Sequence, residues 1–360
     1  MNHKQPLGPK HRPAFTLVEL LVVIAIIGVL IAMAVPALQS MRELTRRNYC
    51  AQNLVRLSLA FSSYNATFGH YPIGTQAKAG PVLSEPKGFH HNWAAALLPM
   101  LDAQAVYDAI DQNASVYAKA NQEVRQLRIP AFICPSATDI RYNATCYSGV
   151  TGSTETPIDT TNDGTFILNR RISDRDITDG LGYTLFIGEM LSPWEEDLGW
   201  MSGTRASLRD ADHRINAELK RLRGPQTGVK PLALDYVGGF ASDHPNGTHL
   251  LLGSGEYMFR SNSMDIKVLQ QMAARSDGEI PAEWKSEYAR MQEILDQSKP
   301  GPVQANPTAP EDAPEDAPPE DAGNQETEGK ETEGKETVKP AESDSGTPAP
   351  PSAAASDPNS

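Results

Sequence analysis

Arg12-Pro13-Ala14-Phe15-Thr16-Leu17-Val18-Glu19 opens directly into LLVVIAIIGVLIAMAVPAL, residues 20–38. Those nineteen residues carry no charged side chain. As a helix rising about 1.5 Å per residue they span roughly 28 Å, the hydrocarbon thickness of a bilayer. Lys4, Lys10, His11 and Arg12 form a basic flank, which favours a cytoplasmic N-terminus and places the rest of the chain on the far side. Two plain readings compete. A cleaved secretory signal has a small-x-small site at Ala32-Met33-Ala34, but its apolar core is normally shorter and Pro36 follows the cut unfavourably closely. A simple transmembrane anchor leaves Glu19 unexplained, because a carboxylate at the mouth of an apolar run is costly in lipid and usually functional.

Beyond Pro36 the apolar residues become periodic. Leu38, Met41 and Leu44 recur every three residues, and Leu54, Leu57, Phe61, Tyr64 and Phe68 alternate steps of three and four, the spacing of one helical face. Arg42, Arg46, Arg47 and Arg56 fall largely off that stripe, and Gly69 and Pro72 end it. One helix is predicted over 15–70, about 80 Å long, membrane-spanning at 18–38, bent at Pro36 and packed against a body along its second half.

Charge divides the chain. The 360 residues carry a formal −13, which argues against general nucleic-acid binding. Residues 299–360 hold 4 Lys against 14 Asp or Glu, a net −10, so the body is nearly neutral. That tail repeats Pro-Glu-Asp-Ala at 310–313, 314–317 and 319–322; too apolar-poor to offset ordering entropy, it is predicted disordered, a solvated spacer or brush. A short amphipathic helix is expected over 281–298.

Between 71 and 280, short apolar segments are cut by Gly, Pro, Asn and Asp. A helix is expected from His91 to about Ile110, with Pro99 as a flaw. Strands are expected at Phe132-Ile133, Thr165 to Leu168, Tyr183 to Ile187 and His249 to Leu252. The fold class is therefore α+β: a long N-terminal helix on a mostly antiparallel, β-rich domain, followed by the acidic tail. Residues 1–14 are read as a basic leader.

Catalytic and metal motifs are weak. His90-His91, Asp243, His244 and His249 lack any zinc-ligand spacing. Ser173 to Gly180 misses the calcium-loop pattern by one place at Gly, and Leu185 stands where the closing Glu would be. Gly253-Ser254-Gly255 lacks the outer spacing of a nucleophile elbow. No catalytic residue, metal or cofactor is expected.

The segment from Arg12 to Leu20 resembles the cleavage signal of type IV prepilins and pseudopilins. The resemblance implies a cut by a prepilin peptidase between Ala14 and Phe15, methylation of the new amine, and Glu19 as fifth and Pro36 as twenty-second mature residue. Ala14 stands where the family usually has Gly. Phe15, Glu19 and Pro36 would then serve assembly, the Glu19 carboxylate of one subunit pairing with the Phe15 amine of a neighbour.

Further segments resemble a bacterial family that joins this N-terminus to a solute-binding-protein-like domain of unknown function. They are Cys50 to Leu54, Gly69-His70-Tyr71-Pro72, Trp93 to Pro99, Phe132-Ile133-Cys134-Pro135-Ser136, and Ile177 to Gly180 with Thr184, Gly188 and Glu189. That family's signature is His, nine residues, Asp-Gly; here His244 is followed at that spacing by Ser254-Gly255, with Gly247 in the same hairpin. The element reads as a structural hairpin or as a ligand or processing element. Cys50 and Cys134 both lie in the family-like motifs, which implies a disulfide between them; Cys134 with Cys146 is the rival pairing.

The leading expectation is a single-pass protein of the bacterial inner membrane, N-terminus cytoplasmic and domain periplasmic or extracellular. It would be a non-enzymatic, pseudopilin-like structural or interaction protein of a type IV pilus or type II secretion-like assembly. Its expected partners are prepilin peptidase, other pilin-like subunits and the lipid bilayer, with no nucleic acid. A membrane-tethered protein binding a solute or glycan is the alternative, and an exported hydrolase the third.

Overall fold

A computed structural model describes residues 17–138, 140–191, 197–219, 231–281 and 284–285. The leader, Ala14, Phe15, the acidic tail and most of the expected 281–298 helix lie outside them.

Helix α1, Leu17–Phe68, runs unbroken for 52 residues. Pro36 lies inside it, and Ser40 Oγ donates to the Pro36 carbonyl at 3.0 Å. Gly69, at φ 73°, ends it as its amide bonds back to the Asn65 carbonyl, the left-handed stop for which glycine is suited. The most apolar window has mean hydropathy 3.0 and no part buried against the rest of the protein. From Cys50 onward α1 buries Cys50, Leu54, Leu57, Ala60 and Phe61. The packed stripe therefore starts later than expected: Leu38, Met41 and Leu44 are 56, 65 and 60% exposed, because the apolar core reaches the helix only at Cys50.

Residues 91–110 form no single helix. They break into α2 (Trp93–Ala96), a 3₁₀ turn (Leu98–Leu101) and α3 (Gln104–Asp108). Pro99 lies in the 3₁₀ turn and Asp102 caps it at φ 57°, so the chain turns where the apolar spacing alone would have continued. A short α4, Gln122–Arg125, follows.

Five strands make one mixed sheet: β1 Tyr147–Gly152, β2 Leu185–Glu189, β3 Leu208–Asp210, β4 Gly247–Leu252 and β5 Tyr257–Ser261. Their order is β3-β1-β2-β4-β5, antiparallel except for the parallel β1–β3 pair. Two of the expected strands correspond to β2 and β4. Phe132 instead ends a 3₁₀ turn, and Thr165 to Leu168 contributes only an isolated bridge at Leu168. Both segments bury large side chains in the core, which explains their strand-like apolarity without ladder pairing. β1, β3 and β5 escape prediction because β1 sets only Tyr147 and Val150 among Ser, Gly and Thr, β3 is three residues long, and β5 is a half-exposed edge.

The sheet is covered on both faces. Phe186, Ile187 and Leu251 join the core beneath α1. Leu185, Leu250 and Leu252 face the opposite side, against Leu269, Met272 and Ala273 of α5, Ile266–Ala273. Double coverage explains the uninterrupted apolar run of β4. Gly188 has no room for a side chain, since a Cβ there would fall 2.3 Å from Phe240 Cδ1.

Candidate functional site

One face of α1 carries Glu43, Arg47 and Cys50 in succession, at helical spacing. Cys50 Sγ lies 2.7 Å from Cys134 Sγ, which the chain delivers just after the Pro130–Phe132 turn. Both are thiols in the structure, as is Cys146, and all three are buried. Across from Cys134, at 3.4 Å, stands His244 Nε2. The other ring nitrogen, Nδ1, lies 2.6 Å from Glu43 Oε1. Glu189, last residue of β2, completes the group: its Oε1 is 3.3 Å from His244 Nε2, an ion contact outside hydrogen-bonding alignment. Its Oε2 accepts from the His249 amide at 2.7 Å and sits 3.0 Å from His249 Nδ1.

Four separate segments thus converge in a site with almost no solvent. The His244 side chain is 0% exposed and that of Glu189 1%. Burial alone would raise the Glu189 pKa, but His244 and His249 outweigh it and hold the carboxyl at about 2. Burial would likewise depress His244, yet the Cys134 sulfur and Glu189 carboxylate raise it to about 11. His244 is therefore an imidazolium between two carboxylates, Glu43 and Glu189. The thiols are unequal. Cys50, hydrogen-bonded to Cys134 and buried, is held far above the ordinary thiol range. Cys134, accepting from Cys50 and facing His244, is lowered to about 7, which makes it the readier nucleophile for thiol chemistry.

Arg47 extends the junction. It donates to the Pro245 carbonyl, lies 3.8 Å from Glu43, and stacks 4.1 Å above the Phe259 ring. Ser136 Oγ donates to Glu43 Oε2 at 3.1 Å. Helix α1 is thereby fastened to the Cys134 loop and to the His244 segment at the point where it leaves its exposed apolar half.

The structure brings Cys50, Cys134 and His244 together, while Gly247, Ser254 and Gly255 take other places. Gly247 begins β4, and Ser254 and Gly255 lie in the β4–β5 turn, Gly255 at φ 91°. Cys146 is buried and its pKa is pushed up, chiefly by desolvation. Glu19 lies in the first turn of α1, far along the sequence from this cluster. Sequence reasoning missed Glu43 and Arg47 altogether; it set Glu189 in a family-like motif and weighed His249 beside His244 as a metal ligand, but gave neither a place in the site. The one local signal was the shared helical face of Glu43, Arg47 and Cys50.

Cys50, Cys134, Glu189 and His244 offer four donor atoms within 4.8 Å of one another, a set whose chemistry suits a thiophilic divalent ion. The sulfurs, however, sit closer than two thiolates sharing one tetrahedral ion, which bonds of about 2.3 Å hold more than roughly 3.5 Å apart. Sulfur–sulfur bonding suits this geometry better. His90 and His91 do not share a site: His90 Nδ1 meets Tyr117 Oη and His91 Nε2 meets the Ala114 carbonyl.

An exposed apolar helix behind a cleavage signal, clamped into a sheet domain, defines a membrane-anchored, pilin-like protein of the prepilin-processed class. Residues 9–35 match the prokaryotic N-terminal methylation motif. Residues 39–267 match the family described as protein of unknown function DUF1559, and the chain belongs to that family. Neither a curated protein nor a solved structure matches it.

Proposed function

We propose that this chain is a pseudopilin-like structural subunit, cut between Ala14 and Phe15 and carried in the bacterial inner membrane by residues 18–38. Its domain stands outside the cytoplasm on the rest of α1. The observation that carries this reading is the division of one continuous helix. Its first half exposes Leu17 to Met33 on all sides, while its second half is locked into the body through Cys50, Glu43 and Arg47. A signal peptide needs no rigid continuation into the domain, whereas a subunit that transmits position or force from membrane to body does. Leu38, Met41 and Leu44 extend the exposed apolar surface beyond the membrane segment, and a neighbouring pilin-like subunit is the partner that would cover them.

The proposed role is non-catalytic. The Cys134–His244–Glu43 arrangement resembles a nucleophile with its base and orienting acid, but Cys134 and His244, the two groups that would have to meet a substrate, are shut off from solvent. Binding of a solute or glycan ranks second. The cleft of about 470 Å³ beside Pro81, Thr154, Asp159 and Asp163 has no aromatic side chain in its lining, whereas ligand sites are usually concave and apolar. Intact mass and N-terminal sequencing of protein from its native membrane test the proposal. A start at methylated Phe15 is expected; a start at Val35 or an uncut Met1 would overturn it.

A further inference from the structure

A second cluster, away from the α1 junction, gathers at the end of β3. Asp210 closes that strand, His213 follows three residues later, and Glu155 arrives from the loop after β1. Glu155 Oε2 lies 3.4 Å from His213 Nε2. One donor atom from each of the three residues can be chosen so that all lie within 4.8 Å of one another. The Asp210 residue is 0% exposed. Its Oδ1 accepts from the Asp212 amide at 3.0 Å, while its Oδ2 is buried with no donor among the described residues; the Glu155 carboxylate beside Asp210 is itself an acceptor. A buried carboxylate oxygen left without a donor carries a desolvation cost that ordinary structures avoid.

The surroundings hold these donors in place. Glu155 Oε1 and Oε2 accept from the Val237 and Gly238 amides at 2.8 and 2.9 Å, which fixes the carboxylate plane and leaves lone pairs on both oxygens. Tyr236 Oη lies 3.0 Å from His213 Nε2, and His213 and Glu155 side chains are 31 and 21% exposed, so an ion could enter from solvent. Two carboxylates and one imidazole are a donor set for first-row divalent cations, with positions left over for water. Bonds of about 2.0–2.2 Å to a tetrahedral ion place donors roughly 3.3–3.6 Å apart; the Glu155–His213 pair, at 3.4 Å, already has that spacing, and the Asp210 donor lies within 4.8 Å of both.

We propose that Glu155, Asp210 and His213 form a binding site for a divalent transition cation such as zinc or cobalt. The ion would supply the missing partner of Asp210 Oδ2 and displace Tyr236 from His213 Nε2. It would tie the loop after β1, the end of β3 and the 236–238 segment to one another. Without it, burial and the Glu155 carboxylate push Asp210 up to about 8, so a proton is the competing occupant.

The test is cobalt titration of the full chain in detergent, followed by absorption spectroscopy, with zinc content measured after dialysis. Cobalt also reports its ligands, since thiolates from the Cys50–Cys134 cluster add an intense charge-transfer band that an oxygen and nitrogen site lacks. One retained equivalent without that band is expected, weakened at least about tenfold by both Asp210→Asn and His213→Gln. His213→Gln changes a part-exposed side chain and serves if Asp210→Asn fails to fold. Absence of a retained ion, a thiolate band, or binding that survives His213→Gln would each overturn the proposal.

Discussion

At the scale of single residues, the chemistry centres on His244 and the sulfurs beside it. An extracytoplasmic domain meets an oxidising environment, so the proposed location predicts that Cys50 and Cys134 are joined and Cys146 is a free thiol. Thiol blocking and intact-mass measurement of the unreduced protein should show a loss of 2 Da relative to the reduced chain, a step expected for one disulfide. Peptide mapping should place it at Cys50 and Cys134; a bond to Cys146 would restore the rival pairing. Removing it by Cys50→Ala should cost roughly 2–4 kcal/mol. The imidazolium makes a separate prediction. In the reduced protein, the form in which this is to be measured, burial is outweighed by the Cys134 sulfur and Glu189, which raise His244 from 6.5 to about 11, so its contribution is complete below about pH 6.5 and fades as pH rises towards 11. Glu189 is lowered from 4.5 to about 2, so its contribution is complete above about pH 4.5 and fades as pH falls towards 2. Melting temperature should decline on the alkaline side above neutrality. His244→Gln should flatten that decline while lowering stability by about 3–5 kcal/mol, since Glu43 and Glu189 lose their shared cation. An unchanged alkaline slope in the variant would count against the ion-pair reading.

At the scale of elements, α1 joins two environments and its faces should respond differently to truncation. Leu54 and Leu57 are fully buried against the core, so Leu54→Ala should cost about 2–5 kcal/mol through lost burial and the cavity left behind. Leu59 is 63% exposed, and Leu59→Ala should stay within about 0.5 kcal/mol. Urea unfolding in detergent, followed by tryptophan fluorescence, separates the two because Trp93 packs against Phe61. Equal effects would mean the helix is not docked as described. The periodicity of Leu54, Leu57 and Phe61 made this face legible in the sequence, since it is a local property of helical geometry. The sheet was legible only where both faces are apolar, in β2 and β4. Strand β1 was invisible because Tyr147 and Val150 stand apart among Ser, Gly and Thr and make no apolar run, and its place is set by the neighbouring strands on either side.

At the scale of the whole molecule, the domain and its membrane helix should behave as one rigid unit that associates with its own kind. Met41 is 65% exposed just beyond the membrane segment. Met41→Cys is expected to yield crosslinked subunits with a bifunctional thiol reagent in native membranes. Glu19→Ala should reduce that yield severalfold without moving the melting temperature of the domain, because Glu19 sits far from the packed core. Crosslinking that ignores Glu19→Ala would remove the register role given to that carboxylate.

The amino-acid sequence by itself determined the membrane segment, the processing signal, the length of α1 and the separate character of the acidic tail. Each rests on composition or spacing within a short stretch, and so needs no knowledge of the fold. It also placed Cys50, Cys134, Glu189 and His244 in family-like motifs. Only the tertiary structure decided that Glu43 and His249 close around them, and that Glu155, Asp210 and His213 meet elsewhere. Those groups are brought together by the mixed sheet and the docking of α1 upon it. Contacts between residues as far apart as Glu43 and His244 leave no trace in local pattern, because burial and charge pairing are set by what the folded chain places opposite each side chain.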